Sequence, residues 1–204
     1  NGFRAKHVGP LSWFLGMSVH QGRDYSVEAN QEQYIAKLVE KFAPARTASL
    51  VKHAMPCNPL AFQKLSTARD DSERDKMAKL PYLQLIGSLL YLTLTRPDIY
   101  YHMSILCSFM HDPSPDAYYA AIDLLLYVYN TKHYRLTYSG SVRPPSGVDP
   151  RFHSSINTSG GLVAYSDSSW RNPDKLGYNC FGYGIYLYGG PISCAAKNLK
   201  IVAL

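Results

Sequence analysis

Between Ser139 and Gly160 the chain is dominated by Ser, Pro and Gly, and the spacing of its apolar residues differs on the two sides. That composition reads as a flexible linker and as a domain boundary. Upstream of it the pattern is one hairpin followed by amphipathic or wholly apolar helices. Downstream it is strands only. Segregated helices and strands predict an α+β fold: an N-terminal β-hairpin, a helical region, then an antiparallel sheet.

Taken in order, Ser12–His20 reads as an apolar strand, Gln21–Asp24 as a turn and Tyr25–Glu28 as a short return strand. Asn30, three residues before Gln33, resembles a capping box, and Tyr34, Ile35, Leu38, Val39 and Phe42 fall on one face of the helix it opens. Ala45–Lys79 lacks periodicity and reads as a connector, with room for one short helical turn in the charge-mixed run Ala68–Lys79. Leu80–Leu94 is a strong helix, and Thr95-Arg96-Pro97-Asp98 signals the start of another that runs to about His111. Asp116–Asn130 is apolar nearly all round and so belongs in a core. A short strand, Tyr134–Tyr138, precedes the linker. Beyond the linker come strands Leu162–Tyr165, Cys180–Tyr188 and Pro191–Ala196, the last two joined by a tight turn at Gly189-Gly190.

Composition excludes some classes. With 46% hydrophobic residues the chain can bury a core, yet no apolar run reaches the length of a membrane span. The start, NGFRAKHVG, has no apolar signal region and no initiator Met, so the expectation is an intracellular piece of something longer, without a membrane role. A formal charge of +6 suits a polyanionic partner and equally an ordinary basic protein. Cys57, Cys107, Cys180 and Cys194 show no CxxC spacing, which argues against structural zinc and for reduced thiols. There is no nucleophile elbow, phosphate-binding loop or HExxH motif.

Six stretches, in this order, carry a resemblance: GPLSWFLGMSV, YIAKLVEKF, YLQLIGSLLYLTLTRPDI, FMHDPSPDAYYAA, AYSDSSW and FGYGIYLYGGPISCAAKN. The chain resembles the C-terminal part of a copia-type retrotransposon Pol polyprotein, where the end of the reverse transcriptase meets the start of ribonuclease H. The resemblance implies that residues 1–45 end the reverse-transcriptase palm with its primer-grip hairpin and a helix. Residues 46–79 would be a connector, 80–138 thumb or connection helices, 139–160 a linker and 161–204 a truncated ribonuclease H-like domain with an incomplete antiparallel sheet. It implies an RNA/DNA hybrid or template–primer duplex as partner, along with the remainder of the Pol polyprotein, in a cytoplasmic particle or the nucleus.

Within that resemblance, Trp13, Phe14, Leu15 and Gly16 would form a primer-grip-like hairpin that holds a primer end by backbone and apolar contact; plain strand core is the other reading of Trp13 and Phe14. Leu80–Leu94 would be the first thumb helix. Gly87 would let a sugar-phosphate backbone approach, and Tyr91, four residues on, would lie against a sugar. Close helix packing at Gly87 and a half-buried Tyr91 are equally physical. Arg96 pairs either with a phosphate or with Asp98. Asp116–Asn130 departs from the family, whose members usually carry several Lys or Arg there; this chain has Asp123 and no basic residue until Lys132. The linker also looks longer than is usual.

Ribonuclease H cleaves through converging carboxylates that hold two divalent ions, Mg²⁺ or Mn²⁺ in the complete parent enzyme. Asp167 matches the family's first catalytic Asp and first metal ligand. The second carboxylate would follow the third strand, but the chain stops at Leu204, and after Asp167 only Asp174 is acidic. A polymerase YxDD motif would lie before Asn1, and Asp70-Asp71 follows no Tyr. The expectation is a duplex-binding fragment that is catalytically incomplete and does not hold metal tightly. The alternative is a degenerate or domesticated element fragment acting as an interaction module, or one without function.

Overall fold

The computed structural model of the protein describes residues 9–44, 62, 65–139, 162–169 and 179–199. Among these the fold is α+β, with five α-helices and two antiparallel sheets. Most of the predicted linker, Trp170 and Asp174 lie outside the described residues. No helix among the described residues is long and apolar enough to cross a membrane.

The first sheet has the order β1-β2-β3-β4, from β1 (Trp13–Phe14), β2 (Met17–Gln21), β3 (Val27–Asn30) and β4 (Leu136–Tyr138). The single strand predicted over Ser12–His20 is in fact two. Leu15 and Gly16 both take positive φ, 47° and 73°, and turn the chain so that Phe14 pairs with Met17 and Trp13 with Ser18. Two consecutive left-handed residues give the turn whose twist suits a two-residue hairpin. The return strand starts at Val27, later than predicted, because Tyr25 at φ 63° and the Gly22 N–H to Ser26 carbonyl bond (2.8 Å) extend the turn. Asn30 ends β3 and its side-chain oxygen accepts from the Glu32 N–H at 3.3 Å, which starts α1 (Glu32–Phe42).

The charge-mixed run holds a full helix, α2 (Asp71–Ala78), where only a turn was expected. Its stability is local. The Asp70 carboxylate accepts from the Glu73 N–H (2.8 Å) and Glu73 reaches back to the Arg69 N–H (2.9 Å). Arg74 pairs with Asp71 and Asp112. Such a capping arrangement needs no apolar stripe, and only Met77 is buried.

The core is built by α1, α3 (Tyr82–Leu92), α4 (Tyr100–Ser108) and α5 (Pro115–Asn130). A 3₁₀ turn, Pro97–Ile99, precedes α4 where a single longer helix was predicted. Helix α5 buries residues nearly all round, as its composition requires, and Ser114 caps it by accepting from the Ala117 N–H. Leu85, Ile86, Leu89, Leu92, Leu124 and Leu125 are fully shielded from solvent. Each such side chain contributes about 1.5–3 kcal/mol over its exposed state.

Arg96 is the largest buried side chain, 2% exposed. Its Nε and Nη2 donate to the two oxygens of Asp98 (2.9 and 2.7 Å). Its Nη1 donates to the carbonyls of Val128 and Thr131 at the end of α5, and Nη2 also donates to the Thr131 hydroxyl. All five N–H groups of the guanidinium are therefore used. The Tyr127 phenol donates to Asp98 (2.9 Å), and burial together with that carboxylate pushes the phenol up to about 12.

The second sheet, β5-β6-β7, comprises β5 (Leu162–Ser169), β6 (Asn179–Leu187) and β7 (Gly190–Leu199). Strand β5 is longer than predicted and includes Asp167. The β6–β7 turn is Tyr188-Gly189, both at positive φ, one residue earlier than the predicted Gly189-Gly190. Gly190 is needed for another reason: the Tyr138 ring lies over it, so close that an added Cβ would fall 2.3 Å from a ring carbon. With the Tyr138 hydroxyl donating to the Pro191 carbonyl (2.7 Å) and the Ser139 N–H to Tyr188, this contact joins the second sheet to β4. Leu162 and Ile192 are more than half exposed and Ile185 partly so, as expected for a sheet with an uncovered face.

Two predictions follow from the buried polar groups. Arg96→Ala removes the countercharge of Asp98 and uncaps α5, and is expected to cost about 3 kcal/mol or more in urea unfolding; Arg96→Lys recovers little of it, since an ammonium cannot span both carboxylate oxygens and two carbonyls. Unchanged stability would mean that Arg96 is no scaffold residue. His102, 7% exposed with neither ring nitrogen hydrogen-bonded, is held below its ordinary 6.5 by burial, against a smaller opposing pull from Asp98. The unfolded chain therefore binds a proton before the folded one does, and stability falls as pH drops below 6.5, by at most about 1.4 kcal/mol per pH unit. His102→Phe should flatten that part of the thermal-stability profile; an identical slope in both proteins would contradict the assignment.

Candidate nucleic-acid interface

The β1–β2 hairpin displays its apolar residues instead of burying them. Leu11, Trp13, Phe14 and Leu15 are all about half exposed or more, up to 64% for Leu15. The reading of Trp13 and Phe14 as strand core is thereby set aside. A two-residue strand at the sheet edge has no layer on either face that could cover both alternating side chains.

Helix α3 is apolar on two sides. Tyr82, Leu85, Ile86, Leu89 and Leu92 face the core. On the other side Leu83, Gly87 and Leu90 fall within about 60° of arc, and Leu94 continues their line past the helix end. Leu83, Leu90 and Leu94 are between 42% and 56% exposed. Sequence inspection singled out Gly87 and missed these three leucines. The signal was present: a helix with apolar residues on more faces than one core can cover.

Gly87 itself is exposed, and a Cβ built on it meets nothing within 4 Å. Close internal packing therefore does not require a glycine here. In mid-helix it costs about 1 kcal/mol relative to Ala. Tyr91 is half-buried. Its hydroxyl donates to the Leu15 carbonyl, its ring meets Tyr34 edge-on at 5.2 Å, and its own carbonyl accepts from the Gln31 amide. Of the proposed duplex-contacting residues, the structure thus brings Leu15, Gly16 and Tyr91 together, with Gly87 one helical turn before Tyr91.

Arg96 does not join them. Its guanidinium is enclosed and fully bonded, so the pairing with Asp98 is the one realised and contact with a phosphate is not available to it. Burial was not readable from the sequence, because the carbonyls that enclose Arg96 belong to the end of α5, more than 30 residues away.

Asp167 belongs to the second sheet. It lies opposite Gly182, is exposed, and accepts from the N–H of Ser168 at 2.8 Å. Strand alternation puts it on the same face as Val163 and Tyr165. Among the described residues no group of three or more His, Cys, Asp or Glu could hold a metal ion. A single carboxylate among the described residues does not make a site for two divalent ions.

No family model matches the chain, and no solved structure does. Similar proteins are known by sequence. The retrovirus-related Pol polyprotein from transposon TNT 1-94 of Nicotiana tabacum is 29% identical over 209 aligned positions, covering 99% of this chain and 14% of that protein. A putative transposon Ty5-1 protein of Saccharomyces cerevisiae is 27% identical over 97% of this chain and 57% of its own length. The secreted RxLR effector protein 161 of Plasmopara viticola is 30% identical over 131 residues, 63% of this chain and 80% of that protein. The chain therefore spans about a seventh of the tobacco polyprotein and somewhat more than half of the yeast protein. These similarities show that the chain is homologous to a short region of retrovirus-related Pol polyproteins from copia-type transposons.

Proposed function

We propose that this chain is the duplex-contacting part of a copia-type reverse transcriptase joined to the opening strands of its ribonuclease H. The hairpin tip Trp13-Phe14-Leu15-Gly16 and the outer face of α3 lie against a template–primer or RNA/DNA hybrid. Helices α3–α5 act as the thumb-like body, and Asp167 is a single ligand of a metal site that needs further carboxylates. Gly87 carries this reading. A mid-helix glycine with open space above it costs helix stability, and it leaves room for close approach of a ligand backbone from outside.

The face has a further property: Leu83, Gln84, Gly87, Ser88, Leu90 and Leu94 carry no charge. A duplex resting there is held through groove and sugar contacts and neutralises few counterions. This same neutrality favours a second reading, a protein-interaction module in a domesticated fragment. An exposed apolar surface is as suited to a protein as to a duplex, and one relative is named as an effector protein.

Gly87→Ala separates the readings. It should stabilise the fold by roughly 0.5–1 kcal/mol and weaken binding of an RNA/DNA hybrid at the same time. Stabilisation with unaltered hybrid affinity would remove Gly87 from the interface. The salt dependence of hybrid affinity should be shallow, with a log–log slope of about −2 or smaller in magnitude; no hybrid binding at low salt would leave the interaction module. On a labelled hybrid with Mg²⁺ or Mn²⁺, the chain and its Asp167→Asn variant should show the same absence of cleavage. Cleavage lost on Asp167→Asn would contradict the incomplete metal site.

A further inference from the structure

We propose that Tyr91 is a positioning residue, whose hydroxyl straps the tip of the β1–β2 hairpin to helix α3, and that it does not itself contact nucleic acid. The hairpin is weak on its own terms. It has two residue pairs, Trp13↔Ser18 and Phe14↔Met17, and its turn puts Leu15 in the left-handed region. That backbone conformation costs a non-glycine residue about 1–2 kcal/mol. Strand β2 is anchored by β3, but edge strand β1 is held within the sheet by β2 alone, so the tip gains from a further anchor.

Tyr91 supplies the anchor. Its phenolic O–H donates to the carbonyl of Leu15, the strained residue at the tip. The ring lies against Gly16, where an added Cβ would sit 3.5 Å from the phenolic oxygen, an ordinary contact. Glycine is thus required at 16 by its φ of 73° and not by the ring.

Tyr91 is in turn fixed from behind. Tyr34 of α1 meets the ring edge-on at 5.2 Å. Gln31, 1% exposed, donates to the Tyr91 carbonyl and accepts from the Thr95 hydroxyl at 2.7 Å. Thr95 directly precedes the enclosed Arg96. A chain of hydrogen bonds therefore runs from the hairpin tip through Tyr91, Gln31 and Thr95 to the centre of the scaffold. The phenolic proton is thus committed to the Leu15 carbonyl and is not free to be donated to a ligand sugar.

The anchoring stands on the geometry alone; its effect on hybrid binding rests on the function proposed above. The test uses the 204-residue chain and its Tyr91→Phe variant, which keeps the ring and removes only the hydroxyl. Amide exchange at Leu15–Met17 in the protein without nucleic acid should quicken by between about twofold and tenfold, the range that a single hydrogen bond supplies. Exchange within α5 should stay unchanged, which shows that the variant is folded. Affinity for an RNA/DNA hybrid should fall by a comparable factor. Wild-type exchange at Leu15–Met17 in the Phe variant overturns the strap. Faster exchange with unaltered hybrid affinity supports the strap and overturns the duplex reading of the hairpin. Weaker affinity with unaltered exchange overturns the strap, because the hydroxyl would then be touching the ligand.

Discussion

The interaction on which the rest of the molecule depends is the enclosed guanidinium of Arg96. A single planar cation satisfies both oxygens of Asp98, two carbonyls and a hydroxyl at the end of α5, and stacks near the rings of Tyr127 and Tyr134. It does three things at once. It ends α5 with a positive charge where the helix leaves carbonyls without partners. It fixes the 3₁₀ turn that redirects the chain from α3 into α4. It also sets Thr95, and through Gln31 and Tyr91 the exposed hairpin, at a definite distance from the core. Because Asp98 is partly open to water and Arg96 is not, the cation bears most of the desolvation. Additional neutral acceptors offset that cost, as a buried ion pair needs.

Around this centre the apolar residues have two roles. One set, from α1, α3, α4 and α5, closes the core. The other stays in solvent on the hairpin tip and the outer side of α3. The second sheet is attached through β7, which packs on α4 and the 3₁₀ turn, with the Tyr138 ring over Gly190 and two hydrogen bonds to the β6–β7 hairpin. Asp167 is carried by that sheet, while the candidate duplex face is carried by the helical body. The proposed duplex face and the proposed metal ligand thus lie on separate elements.

Much of this was legible in the residues. Helices α3 and α5 follow from apolar content, α5 also from its Ser114 cap, and β5–β7 from β-branched and aromatic runs with glycine turns. What was not legible depended on local polar geometry or on distant partners. Helix α2 has no apolar period; the Asp70 carboxylate on the Glu73 N–H and the Glu73 carboxylate on the Arg69 N–H hold its start. The break at Leu15-Gly16 was hidden because leucine seldom adopts a left-handed backbone, and only the tyrosine hydroxyl from α3 explains how it is held. Gly190 was taken for a turn residue, although its lack of a Cβ serves Tyr138. The alternatives for Arg96 were both visible in Arg96-Pro97-Asp98, but the choice between them was made by the carbonyls of Val128 and Thr131.

In the proposed function the exposed hairpin tip and the outer face of α3 meet a nucleic-acid duplex together. Side-chain footprinting with hydroxyl radicals, on the chain with and without a saturating RNA/DNA hybrid, tests this most directly. Trp13, Phe14, Leu83 and Leu90 should lose reactivity together while Tyr25 and Tyr188, exposed elsewhere, do not. Protection confined to the second sheet, or unchanged reactivity of all four residues under saturating hybrid, would contradict it.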